Sequence, residues 1–156
     1  MSTSDHSNTH LIDGPIVWSD GFLVGYSPLD RIHQAFVDAL AAMQVATDAA
    51  LAPQLAALAG VARRQFSQED RWMNDSGFPP RECHVQEHAS VMESFALVTE
   101  RVEAGDLDEG RRFAGALADW FPKHVAHLDS ALAHWMFKLE FSGKPVVLRR
   151  GAAGGL

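Results

Sequence analysis

The sequence predicts an all-α fold: an antiparallel up-down-up-down four-helix bundle with an extended N-terminal arm. Two observations support this prediction. Apolar residues recur at helical spacing over four long segments with short links between them, and no segment shows the alternation that is typical of a strand. With 156 residues, of which 47% are hydrophobic, the chain has the size of one ordinary domain with a real core. We therefore expect a single domain over residues 1–156.

Residues 1–27 are predicted to form the arm. This part of the chain mixes Ser, Asp, Gly and Pro with scattered aromatic residues and has no sustained helical period. Aromatic side chains in such an arm can still bury their rings against the bundle. We expect this packing from three residues: Trp18, Phe22 and Tyr26.

The helical pattern begins at residue 28 and defines a bundle over residues 28–140, followed by a tail over 141–156. Pro28 is expected in the first turn of the first helix, and Pro53 is expected to open the second. Pro122 lies inside the fourth helix and should kink it. The four helices are predicted over residues 28–49, 53–75, 80–104 and 107–140.

Polar side chains occupy the predicted inward faces of all four helices. Residues i and i+4 of an α-helix are offset by about 40°. His84 and His88 therefore project together from the third helix, and Gln65 and Glu69 do so from the second. The first and fourth helices supply the remaining candidates: His33, His124 and Asp129.

Each of these features has an ordinary structural interpretation when it is taken alone. A pair of histidines four apart is commonly a surface pair, and a histidine on an apolar face is commonly a hydrogen-bonded core residue. The combination is different, because four histidines and two carboxylates in one core would be very costly without a cation. Imidazole and carboxylate without thiolate favour iron or manganese over structural zinc. Two carboxylates that are able to bridge indicate two metal ions.

The composition argues against several kinds of partner. Lys and Arg total 13 against 20 Asp and Glu, a net charge of -7, so neither nucleic acid nor an anionic membrane is expected to bind. No stretch approaches the roughly 18 apolar residues of a membrane span, and no signal peptide is recognised, so we expect a cytoplasmic location. Cys83 is the only cysteine, which excludes an internal disulfide. We expect it to pack rather than to bind metal.

Rival metal sites are excluded by spacing. No glutamate has a histidine three residues further on, so the Glu-x-x-His pair of ferritin-like di-iron bundles is absent. Val85 follows His84, so the zinc-protease motif H-E-x-x-H is absent as well. His127 and His134 are predicted on the flank and outer face of the fourth helix, and we interpret them as surface residues.

Three motifs relate the chain to a known family. The stretch GPIVWSDGFLVGYSPLDRIHQAFVDAL carries an L-D-x-x-H signature that ends at His33. QFSQEDRWMNDSGFPPRECHVQEHASV is similar to H-F-x-x-E-E-x-x-M followed by G-[YF]-P and H-x-x-x-H, and WFPKHVAHLD fits W-x-x-x-H-x-x-x-x-D. On these motifs, from about residue 14 to residue 137, the chain resembles hemerythrins and bacterial hemerythrin-like proteins. Those proteins are four-helix bundles with a non-haem di-iron centre that reversibly binds dioxygen.

The resemblance implies a single hemerythrin-like domain that binds two iron ions. It implies that three histidines bind the first ion: His84, His88 and His124. Glu69 and Asp129 would bridge the two ions, and His33 would bind the second. The family has a further histidine on that second ion, and Gln65 takes its position in this chain.

Gln65 leaves several outcomes open. Its amide oxygen is a weaker donor than imidazole, so it could ligate weakly, water could fill its place, or the second site could be largely empty. It could also hydrogen-bond Glu69 in a bundle that holds one metal ion or none.

Two functions are consistent with this site. The first is binding of dioxygen or a related small ligand for storage, delivery or sensing. The alternative is a di-iron oxidoreductase that acts on peroxide or dioxygen at a second iron left more open by Gln65. A metal-poor structural bundle remains as a third possibility.

Overall fold

The computed structural model describes residues 14–142 and confirms the all-α bundle. Within this range there is no strand, and no helix is long and apolar enough to cross a membrane. A π-helical turn, Val125–Asp129, joins α4 to α5, so these two helices together form the fourth member of the bundle. The predicted arm residues 1–13 and tail residues 143–156 lie outside the described residues. The helices are α1 (Ser27–Gln44), α2 (Asp48–Ser76), α3 (Arg81–Glu103), α4 (Leu107–His124) and α5 (Ser130–Ser142).

Short links hold neighbouring helices side by side. Residues 45–47, 77–80 and 104–106 connect α1 to α4 in sequence, and links of this length are typical of antiparallel neighbours. Each helix packs on the next, and α4 packs back on α1 to close the bundle. Gly77 ends α2 with a φ of 68°, in the left-handed region where glycine has no steric cost.

The predicted boundary between the first two helices is wrong. Helix α1 ends at Gln44, and α2 begins at Asp48 rather than at Pro53. Thr47 caps α2, since its Oγ1 accepts a hydrogen bond from the Ala50 amide at 3.3 Å. The carboxylate of Asp48 in the first turn favours the same start because it lies at the positive end of the helix dipole. Pro53 is therefore inside the helix, on its exposed side.

The prediction of one uninterrupted α-helix over 107–140 is also wrong. A π-helical turn contains more residues than an α-helical turn, so the row of residues that faces the core shifts after His124. Leu128, which a regular α-helix would place on the same face as His124, is only half-buried, and Asp129 is buried. Leu139, further along α5, is 46% exposed. The kink expected at Pro122 stays a prediction, but the π-helical turn begins three residues after it.

The core is divided into two apolar clusters. The larger cluster fills the end of the bundle near the α1–α2 link and includes Phe36, Leu55, Phe95 and Phe121. The smaller cluster comprises Met73, Phe78 and Leu132 at the other end. α2, and α4 together with α5, run from one cluster to the other through a level where the buried residues are polar. This level is called the polar layer below, and its residues are His33, Gln65, Glu69, His84, His88, His124 and Asp129.

The described part of the arm packs its aromatic residues on the bundle, as predicted. Trp18 stacks on Phe22 with ring centroids 5.4 Å apart, and Phe22 stacks on Phe121 of the core at 5.9 Å. Tyr26 meets Trp72 of α2 edge to face. The arm thereby covers the large cluster on the side of α1 and α4.

Gly110 of α4 provides a test of how closely the helices approach. A Cβ atom there would lie 2.8 Å from Val102 Cγ2 and 3.2 Å from Leu51 Cδ2, whereas one at Gly115 on the same helix would meet nothing within 4 Å. Gly110→Ala should therefore lower the free energy of unfolding by about 1–3 kcal/mol through overpacking. Gly115→Ala should raise it by about 0.5–1 kcal/mol, since alanine is the better helix former. Urea unfolding of both variants measures the difference, and equal stabilisation by the two would contradict this packing.

Candidate metal centre

The structure brings all seven predicted site residues together in the polar layer. They are 0–2% exposed and come from all four members of the bundle. Ligand atoms of five of them lie within 4.8 Å of one another, a spacing that can hold a metal ion. These five residues are Glu69, His84, His88, His124 and Asp129.

The π-helical turn is what places Asp129 beside His124. In a regular α-helix, residues five apart point about 140° away from each other. A turn with i→i+5 hydrogen bonds brings such residues to nearly the same face. The turn covers Val125–Asp129, directly after His124, and His124 Nε2 lies 3.1 Å from Asp129 Oδ1. The π-helical turn between α4 and α5 therefore positions a residue of the site.

Asp129 presents its two oxygen atoms to two different groups of histidines. Its Oδ1 lies 2.9 Å from His84 Nε2 and 3.1 Å from His124 Nε2. Its Oδ2 lies 2.8 Å from His33 Nε2 on the other side. One carboxylate thus contacts both halves of the polar layer.

Glu69 is arranged in the same way. Its Oε2 lies 3.0 Å from His88 Nε2 and 3.6 Å from His84 Nε2, while its Oε1 faces His33 Nε2 at 3.6 Å. The polar layer therefore has a three-histidine side, with His84, His88 and His124, and a His33 side. Both carboxylates lie between these sides and offer one oxygen to each.

The short distances between unpartnered nitrogen and oxygen atoms in the polar layer show that these side chains can serve as ligands of a cation. All buried side-chain nitrogen and oxygen atoms without a hydrogen-bond partner in residues 14–142 belong to the polar layer. The imidazole nitrogens of the layer lie close to the oxygens of Glu69 and Asp129 but are not aligned with them as donor and acceptor. Ligand atoms gathered around a shared cation have this arrangement, and a buried polar group without any partner is rare. The unpartnered atoms lie on His33, Gln65, Glu69, His84 and Asp129.

Two acidic residues outside the layer orient two of the histidines. Asp70 Oδ1 accepts a hydrogen bond from His88 Nδ1 at 2.7 Å, and Glu87 Oε1 accepts one from His124 Nδ1 at 3.0 Å. Trp120 Nε1 donates to the same Glu87 oxygen at 2.8 Å. A carboxylate can only accept, so Nδ1 donates in both contacts and Nε2 is the nitrogen that faces the layer.

Sequence reasoning missed Asp70 and Glu87. Each is adjacent in sequence to a predicted ligand, Asp70 to Glu69 and Glu87 to His88, and that adjacency was the available signal. Adjacency alone does not identify these two residues, because their contacts with the histidines connect α2 to α3 and α3 to α4. The helix packing that creates them cannot be read from the spacing within one helix.

The buried carboxylates and imidazoles shift one another's pKa. Burial lowers the pKa of His33 and His84, but the adjacent Asp129 and Glu69 carboxylates outweigh it and raise both to about 9. For the same reason the pKa of Asp129 is held well below its usual value, against the effect of burial. The layer therefore stabilises positive charge at the Nε2 atoms, and protons and metal ions compete for them.

Gln65 lies on the His33 side of the layer. Its Nε2 donates a hydrogen bond to Glu69 Oε1 at 3.2 Å, which is one of the arrangements that the sequence left open. Its Oε1 is buried and has no partner. The side chain is thus close enough to take part in the site and retains a free acceptor.

The residues predicted to lie outside the site do so, with one correction. His127 and His134 are exposed, as expected. Cys83 is exposed too, so the expectation that it packs is wrong. It directly precedes His84, and this places it about 100° away around α3, on the solvent side.

Asp70 provides a test of the orienting hydrogen bonds. Asp70→Ala should lower the affinity for the metal ion on the three-histidine side by about 10- to 100-fold, because the His88 ring loses its orienting acceptor. Asp75→Ala, at an exposed position of the same helix, should leave the affinity unchanged. Competition with a chromophoric chelator measures both. Equal affinities in the two variants would show that Asp70 does not support the site.

Known proteins share this sequence pattern. The family model described as Hemerythrin HHE cation binding domain matches residues 24–135. A bacteriohemerythrin of Ralstonia nicotianae is 33% identical over 121 residues, covering 78% of this chain and 88% of that protein. Myohemerythrins of Riftia pachyptila and Sipunculus nudus are 31% and 26% identical, each covering 76% of this chain and 91% of the relative. No solved structure gave a significant match.

The matched range of residues 24–135 covers most of the chain and contains every residue of the polar layer. Hemerythrins hold a carboxylate-bridged non-haem di-iron centre, and the buried cluster gives this chain the residues to hold metal. From sequence and site together, the chain belongs to the hemerythrin family of non-haem iron, oxygen-binding proteins.

Proposed function

We propose that this protein binds dioxygen or a related small ligand at a di-iron centre in the polar layer, for storage, delivery or sensing. The observation that carries the proposal is the position of the two carboxylates. Glu69 and Asp129 each offer one oxygen to the three-histidine side and the other to the His33 side. Two carboxylates placed in this way suit a pair of metal ions, because each can give one oxygen to each ion, whereas a single ion on the three-histidine side would use only one oxygen of each.

The ligand roles follow from this arrangement. The three-histidine side would hold one iron ion with His84, His88 and His124, and Glu69 and Asp129 would bridge to the second. His33 and Gln65 are the residues available to that second ion. When bound, the ferrous pair supplies the electrons and the open coordination position that dioxygen needs.

The chain's own residues keep the site dry. Apolar clusters lie on both sides of the polar layer, and Phe66 stacks on the His88 ring with centroids 4.2 Å apart. Water and protons are thereby kept from the bound ligand. Exclusion of water favours reversible binding, because it suppresses side reactions at the centre.

The His33 side should hold its metal ion less tightly than the three-histidine side. It has one imidazole where the other side has three, and the Gln65 amide is a weaker donor than the histidine of the family. A second candidate function rests on this difference. With a more open second iron, the protein would act as an oxidoreductase on peroxide or dioxygen.

Other features of the proposal rest on the sequence. A single domain over residues 1–156, a cytoplasmic location and the absence of a nucleic-acid partner stay predictions. The net charge of -7 supports the last of these.

Exposure of the reduced protein to air separates the two functions. For a carrier or sensor, iron-loaded protein should gain a visible absorption band in air and lose it again when oxygen is removed. His88→Ala removes an imidazole from the three-histidine side and should hold less iron and show a weaker band. Irreversible bleaching, or repeated turnover of added peroxide, would favour the oxidoreductase instead.

Gln65→His tests whether the Gln65 amide determines how tightly this protein holds its second iron ion. The imidazole is close in length to the amide, so the bundle should accept it with little strain. The variant should bind more iron per chain and its band in air should decay more slowly, because the second ion gains a strong ligand. Gln86→His, which adds an imidazole at an exposed position of α3, serves as the control. If Gln65→His and the control have the same iron content and decay rate, Gln65 is not the determinant.

A further inference from the structure

A groove on the outside of the bundle reaches the polar layer at Gln65. It lies between α1 and α2 and has a volume of about 580 Å³, a size that suits a small-molecule ligand. Ile32 and Ala35 of α1 and Val61 of α2 give it an apolar wall. Gln65 lines the groove and hydrogen-bonds Glu69, so its side chain lies between the groove and that carboxylate.

Three arginines surround this apolar wall: Arg63, Arg64 and Arg71. All three are exposed, and none takes part in an ion pair with another residue of the described range 14–142. Arg71 donates a hydrogen bond to the neutral amide of Gln68 at 3.2 Å. This concentration of unpaired positive charge is unusual in a chain with a net charge of -7.

The acidic residues on α2 nearest to these arginines form contacts in or beside the polar layer and do not pair with the arginines. Within residues 63–71 the acids are Glu69 and Asp70. Glu69 is buried in the polar layer, and Asp70 accepts the hydrogen bond from His88. Over residues 63–71, α2 therefore has its acidic side chains in or beside the polar layer and its arginines on the groove.

Gln65 forms the inner wall of the groove. It is 1% exposed, it lines the groove, and its Oε1 has no hydrogen-bond partner. The free Oε1 is an acceptor and favours a donor or a cation, so the charged end of an anion in the groove would lie at the arginines and not at Gln65.

We propose that this groove binds a small organic carboxylate with a short apolar body. The guanidinium groups of Arg64 and Arg71 match the carboxylate, because arginine presents paired N–H donors in a plane. The apolar body would cover Ile32 and Val61. This site lies outside the polar layer and uses none of the residues that would bind iron except the shared side chain of Gln65.

Hexanoate is a suitable probe, and calorimetric titration of the iron-loaded full-length protein is the measurement. Hexanoate should bind, while hexylamine, which has the same apolar body and the opposite charge, should not. Acetate should bind more weakly, since it lacks the body that covers the apolar wall. Equal binding of hexanoate and hexylamine would overturn the proposal, because the arginines would then have no role.

Variants locate the site. Arg64→Gln combined with Arg71→Gln should weaken hexanoate binding by about tenfold or more, as expected for loss of charge-assisted hydrogen bonds. Arg112→Gln removes an arginine of α4 that pairs with Glu109 away from the groove and should not change the affinity. Circular dichroism establishes that the exposed substitutions leave the helices intact. Unchanged affinity in the double variant would overturn the proposal.

A final titration on protein stripped of iron separates this proposal from the proposed function. Hexanoate should bind the stripped protein with the same affinity, since the arginines and not the metal hold it. If hexanoate binding required iron, the proposal of a carboxylate site in the groove would be overturned and the di-iron function would stand. Conversely, failure of the protein to bind two iron ions, with hexanoate binding retained, would refute the di-iron function alone.

Discussion

The burial of two carboxylates and four imidazoles at one level of the bundle is the constraint on which the rest of the structure depends. Leaving a buried polar group unsatisfied costs about 1–3 kcal/mol, and more for a charged group. The unpartnered atoms of residues 14–142 are concentrated in this layer, so this part of the core is stable only with positive charge among the carboxylates. Protons or metal ions can supply that charge, and folding and cation binding are therefore coupled. The apolar clusters on either side contribute the burial of apolar surface that stabilises the bundle.

Helical periodicity predicted which faces turn inward, and this was enough to identify His33, Gln65, Glu69, His84 and His88 as neighbours in the core. Periodicity failed where the backbone leaves the regular α-helix. The π-helical turn shifts the inward face so that Asp129 is buried beside His124 and Leu128 is only half-buried, and no residue pattern predicts that turn. The Thr47 cap was missed because Pro53 is a more conspicuous signal for a helix start, although the structure tolerates it inside α2. Asp70 and Glu87 depend on contacts between helices, which spacing along one helix does not define.

The two sides of the polar layer differ in more than the number of imidazoles. On the three-histidine side, the rings of His88 and His124 are fixed through Nδ1 by Asp70 and Glu87. The Nδ1 of His33 is buried without a partner, so nothing comparable orients the ring on the other side. Gln65 adds a neutral amide to the side that already has less support. These differences act in the same direction, so the side chains on the His33 side are less constrained than those on the three-histidine side.

The distribution of charge across α2 also affects which ligands can reach that half. Anions in the groove would be attracted by Arg63, Arg64 and Arg71, but the buried carboxylate of Glu69 lies immediately behind Gln65 and repels them. Dioxygen carries no charge and is subject to neither effect. The arginines would thus hold an anion at the outer face of Gln65, and the carboxylate would keep it from moving further inward. A neutral ligand would pass this barrier and an organic anion would not, so one amide side chain separates two sites with opposite electrostatic preferences.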